Sequence, residues 1–224
     1  MKLGVLLPTF REHADDALAV ARDAEQAGLD GVFAFDHLWP IGSPMRPSFA
    51  PCPILAAVCA RTTALLVGTL VARVGLVGTP TLVDRFLTLE ALAPGRVIAG
   101  LGTGDDLSKD EGIAYGLGYP TGEERWRLLD EAMSELEGRV PIWCGAGSSG
   151  TEDVARAHGA TLNLWGAMPE RVREVASRGP VNWAGPLEGD VSATLDQLRD
   201  AGATWAVVAS SSRFRELQEW RGAA

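Results

Sequence analysis

The sequence predicts an α/β fold, a closed (β/α)₈ TIM barrel, from three observations. Short apolar runs rich in strand-forming residues alternate with segments of helical periodicity along the whole chain, as expected for parallel strands joined by crossover helices. Eight such pairs are present without an obvious extra edge strand. The length of 224 residues suits one compact, shortened barrel, so we expect a single domain over residues 1–224. A doubly wound open sheet, which uses the same alternation, is the alternative.

The predicted elements follow one another in strict order. The strands are Leu3–Leu7, Gly31–Phe35, Leu65–Val71, Val97–Leu101, Ile142–Cys144, Thr161–Leu164, Val181–Trp183 and Trp205–Ala209. The helices are Asp15–Ala27, Ile54–Arg61, Thr81–Leu92, Glu123–Glu137, Thr151–His158, Pro169–Ser177, Val191–Ala201 and Arg213–Trp220. The longest irregular connections, Asp36–Pro53 and Gly102–Gly122, follow the second and fourth strands. Both therefore lie at the carboxyl ends of the strands, where barrel enzymes build their active sites.

Composition limits the function classes. A net charge of −9 argues against a nucleic-acid surface and against an anchor to anionic membranes, because both need clustered Lys and Arg. No stretch approaches the roughly 20 apolar residues of a membrane span, and no two histidines or thiolates have metal-ligand spacing. The three cysteines are irregularly spaced and fit a reducing cytoplasm. We expect a cytoplasmic protein that acts on a small molecule.

The first candidate site follows the second strand. Asp36, His37 and Trp39 place a carboxylate, an imidazole and an indole in one loop directly beyond an apolar run. An imidazole is the natural proton carrier near neutral pH, so His37 is the candidate acid or base. In the structural alternative, Asp36 caps a turn and His37 packs beneath the loop.

Two glycine-rich segments are further candidates. Gly100–Gly104 leaves the fourth strand and is followed by Asp105 and Asp106, which could bring carboxylates near a bound ring or could simply be solvated. Gly145–Gly150 matches the G-x-G-x-x-G pattern but lacks the acidic residue that a Rossmann unit carries about 20 residues later. This second segment is either a phosphate cradle within a barrel or a tight turn in which a serine caps the next helix.

Taken together, these segments resemble the luciferase-like monooxygenase family, in particular its branch that depends on the deazaflavin coenzyme F420. The resemblance covers most of the chain and depends on the motifs in combination. They are Lys2–Pro8, Ala27–Val32 leading to Asp36-His37, Gly68–Val71, Leu89–Val97, Gly100–Gly104, Pro141–Gly147 and Asn163–Gly166.

The resemblance implies roles for individual residues. His37 would lie near the reactive carbon of the cofactor ring and move a proton, with Asp36 in the same pocket and Trp39 as a cofactor contact. Leu70-Val71 falls where the family has a bulge with a non-proline cis peptide that supports the ring. The ring would be bordered by Gly102, Thr103 and Gly104, beside Asp105 as a third catalytic candidate. The cofactor phosphate would be held by Gly145, Ala146, Gly147 and Ser148.

The chain also departs from the family pattern. It is shorter than typical members, with an insertion missing between Glu137 and Pro141 and an abbreviated stretch Arg178–Asp190. Asp105 stands where the sugar-phosphate dehydrogenase branch often has Glu, so its carboxylate has a shorter reach. The resemblance implies hydride transfer between F420 and a small organic substrate, and a homodimer. The alternatives are an FMN-dependent monooxygenase and a non-catalytic flavin- or deazaflavin-binding protein.

Overall fold

A computed structural model describes residues 1–40, 42–44, 46–209 and 213–223. Ile41 and Met45, inside the predicted loop Asp36–Pro53, lie outside the described residues. The strands are β1 Lys2–Leu6, β2 Gly31–Ala34, β3 Leu66–Thr69, β4 Ala72–Arg73, β5 Val97–Gly102, β6 Ile142–Gly145, β7 Thr161–Trp165, β8 Val181–Gly185 and β9 Trp205–Val208. The helices are α1 Asp15–Gln26, α2 Pro51–Cys59, α3 Thr79–Leu92, α4 Asp106–Ala114, α5 Gly122–Leu136, α6 Ser149–Ala157, α7 Pro169–Ala176, α8 Val191–Asp200 and α9 Phe214–Ala223.

The strands form a closed parallel barrel. β1 pairs with β2 on one side and with β9 on the other, so the two ends of the chain complete the ring. β3 pairs with both β2 and β5, and β4 continues the third strand beyond a short interruption, again alongside β5. The predicted closed barrel is confirmed, and the open-sheet alternative is wrong.

Aromatic side chains fill the inside of the barrel. Phe33 stacks on Trp143 with ring centroids 4.8 Å apart, and Trp205 meets both rings edge-on. Glycines on the neighbouring strands make room for Phe33, since a Cβ at Gly4 would lie 2.9 Å from its ring and one at Gly68 would lie 3.0 Å away. These three aromatic residues form the core of the barrel interior.

A second, larger core lies between the barrel and the helices. It combines outward-facing strand residues such as Leu3 and Val67 with the buried faces of the helices, including Ala21 of α1, Phe86 of α3 and Met133 of α5. Within the described ranges, none of the helices is both long enough and apolar enough to cross a bilayer.

The structure differs from the predicted elements mainly at the carboxyl ends of the strands. The predicted third strand Leu65–Val71 is interrupted after Thr69, and the predicted loop Gly102–Gly122 contains α4. Both differences lie where the connections face the mouth of the barrel. The interruption after Thr69 and the helix α4 therefore position the candidate site.

Candidate active site

A cavity of about 300 Å³ opens at the carboxyl ends of the strands, and we call it the barrel-mouth cavity. Most of its walls come from the ends of β2 through β7. It is lined by Phe35, His37, Leu70, Val71, Arg73, Gly102, Thr103, Gly104, Asp105, Ser108, Gly145, Ala146, Gly147, Asn163 and Trp165. Of the predicted site residues, all but Asp36, Trp39 and Ser148 meet here.

A second cavity of about 770 Å³ lies between α2 and α3, and we call it the interhelix cavity. Its lining is mostly apolar and includes Cys52, Leu89, Leu92 and Leu117. Burial raises the pKa of the Cys52 thiol to about 11. His37 belongs to the walls of both cavities, so the two spaces share this residue.

The floor of the barrel-mouth cavity is the interruption between β3 and β4. The Leu70–Val71 peptide is cis, as the family resemblance implies. Glycines surround this segment because the chain passes very close to them: a Cβ at Gly100 would lie 1.9 Å from the Thr69 carbonyl oxygen, and one at Gly102 would lie 2.3 Å from Val71 Cγ2. These glycines of the predicted ring-binding motif therefore make room first for the protein's own third strand.

His37 is held by a carboxylate that the sequence analysis did not identify. Glu111 on α4 has a side chain only 1% exposed, and its Oε1 lies 2.7 Å from His37 Nδ1. Its Oε2 accepts hydrogen bonds from the Leu38 N–H at 2.8 Å and from Arg73 Nη2 at 2.8 Å. One buried carboxylate thus joins the β2 loop, β4 and α4.

Asp36 does not line the barrel-mouth cavity, and the expectation that it shares a pocket with the ring stays a prediction. Its Oδ2 accepts a hydrogen bond from the Arg73 N–H at 3.0 Å, which turns the side chain toward the interhelix cavity. Burial raises the pKa of this carboxyl, and the Arg73 amide and guanidinium offset the rise only in part. Asp36 serves chiefly to hold β4 against the β2 loop.

Asp105 lines the barrel-mouth cavity but is occupied as the N-cap of α4. Its Oδ1 accepts from the Ser108 N–H at 2.9 Å and from the Ser108 hydroxyl at 2.7 Å. Burial alone would raise the pKa of Asp105, but the hydrogen bonds from Ser108 outweigh it and leave the pKa lowered. An ionised cap suits an electrostatic role and does not suit a proton donor.

Trp39 does not line the barrel-mouth cavity, and its role as a cofactor contact stays a prediction. The indole is buried, and its ring centroid lies 5.9 Å from that of Tyr115 at the end of α4. The helix α4, which the sequence did not predict, therefore ends against the loop that follows β2.

The glycine turn after β6 is only partly available to a ligand. The Ala146 N–H already donates to the Asn163 carbonyl at 2.9 Å, and the Ser148 hydroxyl caps α6 by accepting from the Thr151 N–H. Ala146 lines the cavity but its amide is occupied, while Ser148 lies outside the lining. The backbone N–H groups of Gly147, Ser148 and Ser149 have no acceptor within the part of the chain that the structure describes.

Side chains from the outer helices brace the glycine segments. Arg125 of α5 donates from Nη1 to the carbonyl of Thr103 at 2.9 Å and to the hydroxyl of Tyr119 at 2.7 Å. Thr151 of α6 lies 3.3 Å from the Thr103 hydroxyl and 3.0 Å from the Ser148 hydroxyl. The loops after β5 and β6 are therefore fixed to each other.

Glu111, Arg73 and Trp165 are site residues that the sequence analysis missed. The N-cap Asp105 with Ser108 three residues later is a helix-start signal that would have placed Glu111 on a helix. Gly112, Gly116 and Gly118 obscure that helix because glycine lowers helix propensity. Trp165, at the end of β7, is half exposed and packs against Phe35 at the cavity rim.

Comparison with known proteins identifies relatives of this chain. Residues 1–180 match the family described as luciferase-like monooxygenase. An F420-dependent glucose-6-phosphate dehydrogenase from Beutenbergia cavernae is 38% identical over 131 residues, 58% of this chain and 37% of that protein. An F420-dependent hydroxymycolic acid dehydrogenase from Mycobacterium tuberculosis is 33% identical over 179 residues, 80% of this chain and 48% of that protein. The matched regions cover less than half the length of these two curated relatives.

A solved structure shares the architecture over nearly the whole chain. An F420-dependent secondary alcohol dehydrogenase, determined in complex with an F420-acetone adduct, superposes with a TM-score of 0.78 and covers 97% of both chains. Its sequence identity to this chain is 14%. At that identity the likeness concerns the fold alone.

Proposed function

This chain belongs to the luciferase-like monooxygenase family, and from that premise we propose that it is an oxidoreductase that moves a hydride between coenzyme F420 and a small organic substrate. Two curated relatives named above are F420-dependent dehydrogenases, which favours F420 over FMN as the cofactor. The observation that carries the proposal is the barrel-mouth cavity, which combines an apolar floor, an imidazole and free backbone amides.

The residues at the barrel mouth fit a ring with a phosphate tail. Leu70 and Val71 offer an apolar surface for the ring, and His37 stands on the neighbouring wall. The unpaired N–H groups at Gly147 and Ser148 lie at the amino end of α6, where the helix dipole favours an anion. When bound, F420 supplies the hydride chemistry.

The protein's own contribution is positioning and proton handling. His37 is the group we assign to proton movement, since it lines the cavity and its Nδ1 is held by Glu111. Asp105, kept ionised by Ser108, contributes negative charge to the wall and no proton. Phe35 and Trp165, which pack against each other, form one side of the cavity.

Cofactor titration tests the proposal. Purified protein is titrated with F420 and, separately, with FMN, and binding is followed by the change in cofactor fluorescence. We expect saturable binding of F420 and at least tenfold weaker binding of FMN. Tight FMN binding without affinity for F420 would support the monooxygenase alternative.

Turnover separates an enzyme from a carrier. A panel of alcohols and their oxidised counterparts is screened for reduction or oxidation of the bound F420 by its absorbance. His37→Ala should lower the rate with any substrate found by about 10²-fold or more, as expected for loss of a general acid or base. Unchanged binding with no turnover by wild type or variant would favour the non-catalytic alternative.

We also propose that the protein forms a homodimer through the face around the interhelix cavity. α2 carries no charged residue and forms one wall of this cavity. Leu92 and Leu117 on the cavity rim are 64% and 44% exposed.

The three cysteines, all free thiols, agree with the reducing cytoplasm that the sequence predicts.

A further inference from the structure

The buried contacts of Glu111 determine which nitrogen of His37 carries the proton. Glu111 Oε2 receives two donors, the Leu38 N–H and the Arg73 guanidinium, at 2.8 Å each. Oε1 lies 2.7 Å from His37 Nδ1. A carboxylate paired with an arginine accepts and does not donate, so Nδ1 must carry the hydrogen in this contact.

With Nδ1–H bound to Glu111, the lone pair of a neutral imidazole is on Nε2. His37 lines the barrel-mouth cavity, and its ring meets Phe10 and Phe35 edge-on at 6.3 and 6.1 Å. The tautomer therefore decides whether the ring presents a proton acceptor or an N–H donor. Glu111 itself is 1% exposed and touches none of the space where a ligand would sit.

From this geometry we propose that Glu111 is a positioning residue that locks His37 in the Nδ1–H tautomer, so that Nε2 acts as the proton acceptor of the reaction. The rate consequence rests on the proposed function, whereas the tautomer does not. Arg73 has a supporting part because it balances the charge of Glu111 inside the protein.

Glu111→Gln gives a sharp test because it should reverse the tautomer. The two donors at the Oε2 position, Leu38 N–H and Arg73, will draw the amide oxygen of the glutamine toward themselves. The amide NH₂ group then faces Nδ1 and donates to it. Nδ1 must lose its hydrogen, and Nε2 becomes the protonated nitrogen.

Long-range ¹H–¹⁵N spectra of the histidine rings at alkaline pH measure this directly, because a neutral imidazole carries one ring proton. The chain has three histidines, and a His37→Gln sample assigns the signals of His37. We expect Nδ1–H in the wild type and Nε2–H in Glu111→Gln. An Nε2–H tautomer of His37 in the wild type overturns the proposal, and this result does not require Glu111→Gln to fold.

The matched control is Asp110→Asn, which removes the same charge from an exposed neighbouring position of α4. It should change neither the tautomer nor the rate. Glu111→Gln should lower the rate of F420 reduction roughly 10²-fold while leaving the F420 dissociation constant within about twofold. A reversed tautomer with an unchanged rate overturns the role of Nε2.

The positioning role of Glu111 and the proposed function can be rejected independently of each other. If the wild type neither binds F420 nor turns over a substrate, the proposed function fails, yet the spectra of the cofactor-free protein still decide the positioning role. If F420 binds and turns over but the spectra show Nε2–H in the wild type, only the positioning role fails.

Discussion

The two cavities that share His37 differ in how their walls are stabilised and covered. The barrel-mouth cavity has walls fixed from within the chain, by the buried Glu111 network and by close backbone contact at Gly100 and Gly102. The interhelix cavity is larger and mostly apolar, and leucine side chains on its rim remain in solvent. The walls of the first cavity are fixed by contacts among the described residues, and the second leaves apolar surface uncovered.

This difference indicates that the two cavities at the carboxyl end of the barrel serve different purposes. Preorganised polar groups are costly to bury and are retained where a ligand or reaction needs them. Exposed apolar rims are costly in water and are retained where another surface covers them. Because His37 lies in both walls, a change at the interhelix face has a direct structural route to the barrel-mouth cavity.

The largest effect is expected when the barrel-mouth wall is overpacked. In Gly100→Ala the new Cβ would lie 1.9 Å from the Thr69 carbonyl, a backbone atom that cannot move without shifting β3. We expect a loss of about 3 kcal/mol in the free energy of unfolding. Thermal denaturation should show a melting temperature lower by about 6–12 °C.

Gly147→Ala is the control for this substitution. No atom lies within 4 Å of a Cβ at Gly147, so its stability should change by less than about 0.5 kcal/mol. Equal melting temperatures for the two variants would show that the third strand relaxes freely, and the wall could not then be called rigid.

The barrel itself was predictable because periodicity and strand count reflect how each element is buried. Every predicted strand lies over an observed one, and the aromatic core of Phe33, Trp143 and Trp205 follows from their strand positions. The third strand was predicted without a break. Its interruption after Thr69 depends on contacts with Gly100 and Gly102, which lie about 30 residues further along the chain.

The site was less predictable because its key contacts join distant segments. His37 and the glycine loops were found from residue type at strand ends, yet the partner of His37 is 74 residues away. The packing of Trp39 against Tyr115, at the end of α4, is another contact between distant segments. Local patterns identify candidate groups, but the tertiary contact decides which of them faces the cavity.

The interhelix face is tested by adding charge to its rim. The double variant Leu92→Glu, Leu117→Glu places two like charges on each copy of an apolar contact, where burial of unpaired charge is unfavourable. Light scattering should give the wild type about twice the 23.7 kDa chain mass, with a dimer dissociation constant raised at least tenfold in the variant.

Met168→Glu is the control, because Met168 is 69% exposed but lies away from the cavity, before α7. It should leave the dimer unchanged. A monomeric wild type would contradict the proposed dimer. F420 affinity that falls with dimer dissociation would show that the shared wall at His37 couples the two cavities.

The smallest effect on stability is expected at Asp36, which lines the interhelix cavity beside His37. Burial raises the pKa of this carboxyl in the folded state, so the ionised form is disfavoured there relative to the unfolded chain. Stability should therefore fall as the pH rises from the ordinary Asp value, about 3.9, through the raised value, and then stay level. Asp36→Asn removes this cost and keeps an oxygen that can accept from the Arg73 N–H.

We expect Asp36→Asn to raise the free energy of unfolding by about 1 kcal/mol at pH 7, or about 2–4 °C in melting temperature. The difference should shrink toward pH 3, where the carboxyl is neutral in both states. Asp110→Asn, at an exposed position, should show no such pH-dependent gain. A variant less stable than wild type at pH 7 would mean that attraction to Arg73 and Arg85 outweighs burial, and Asp36 would then belong with the polar network of the barrel mouth.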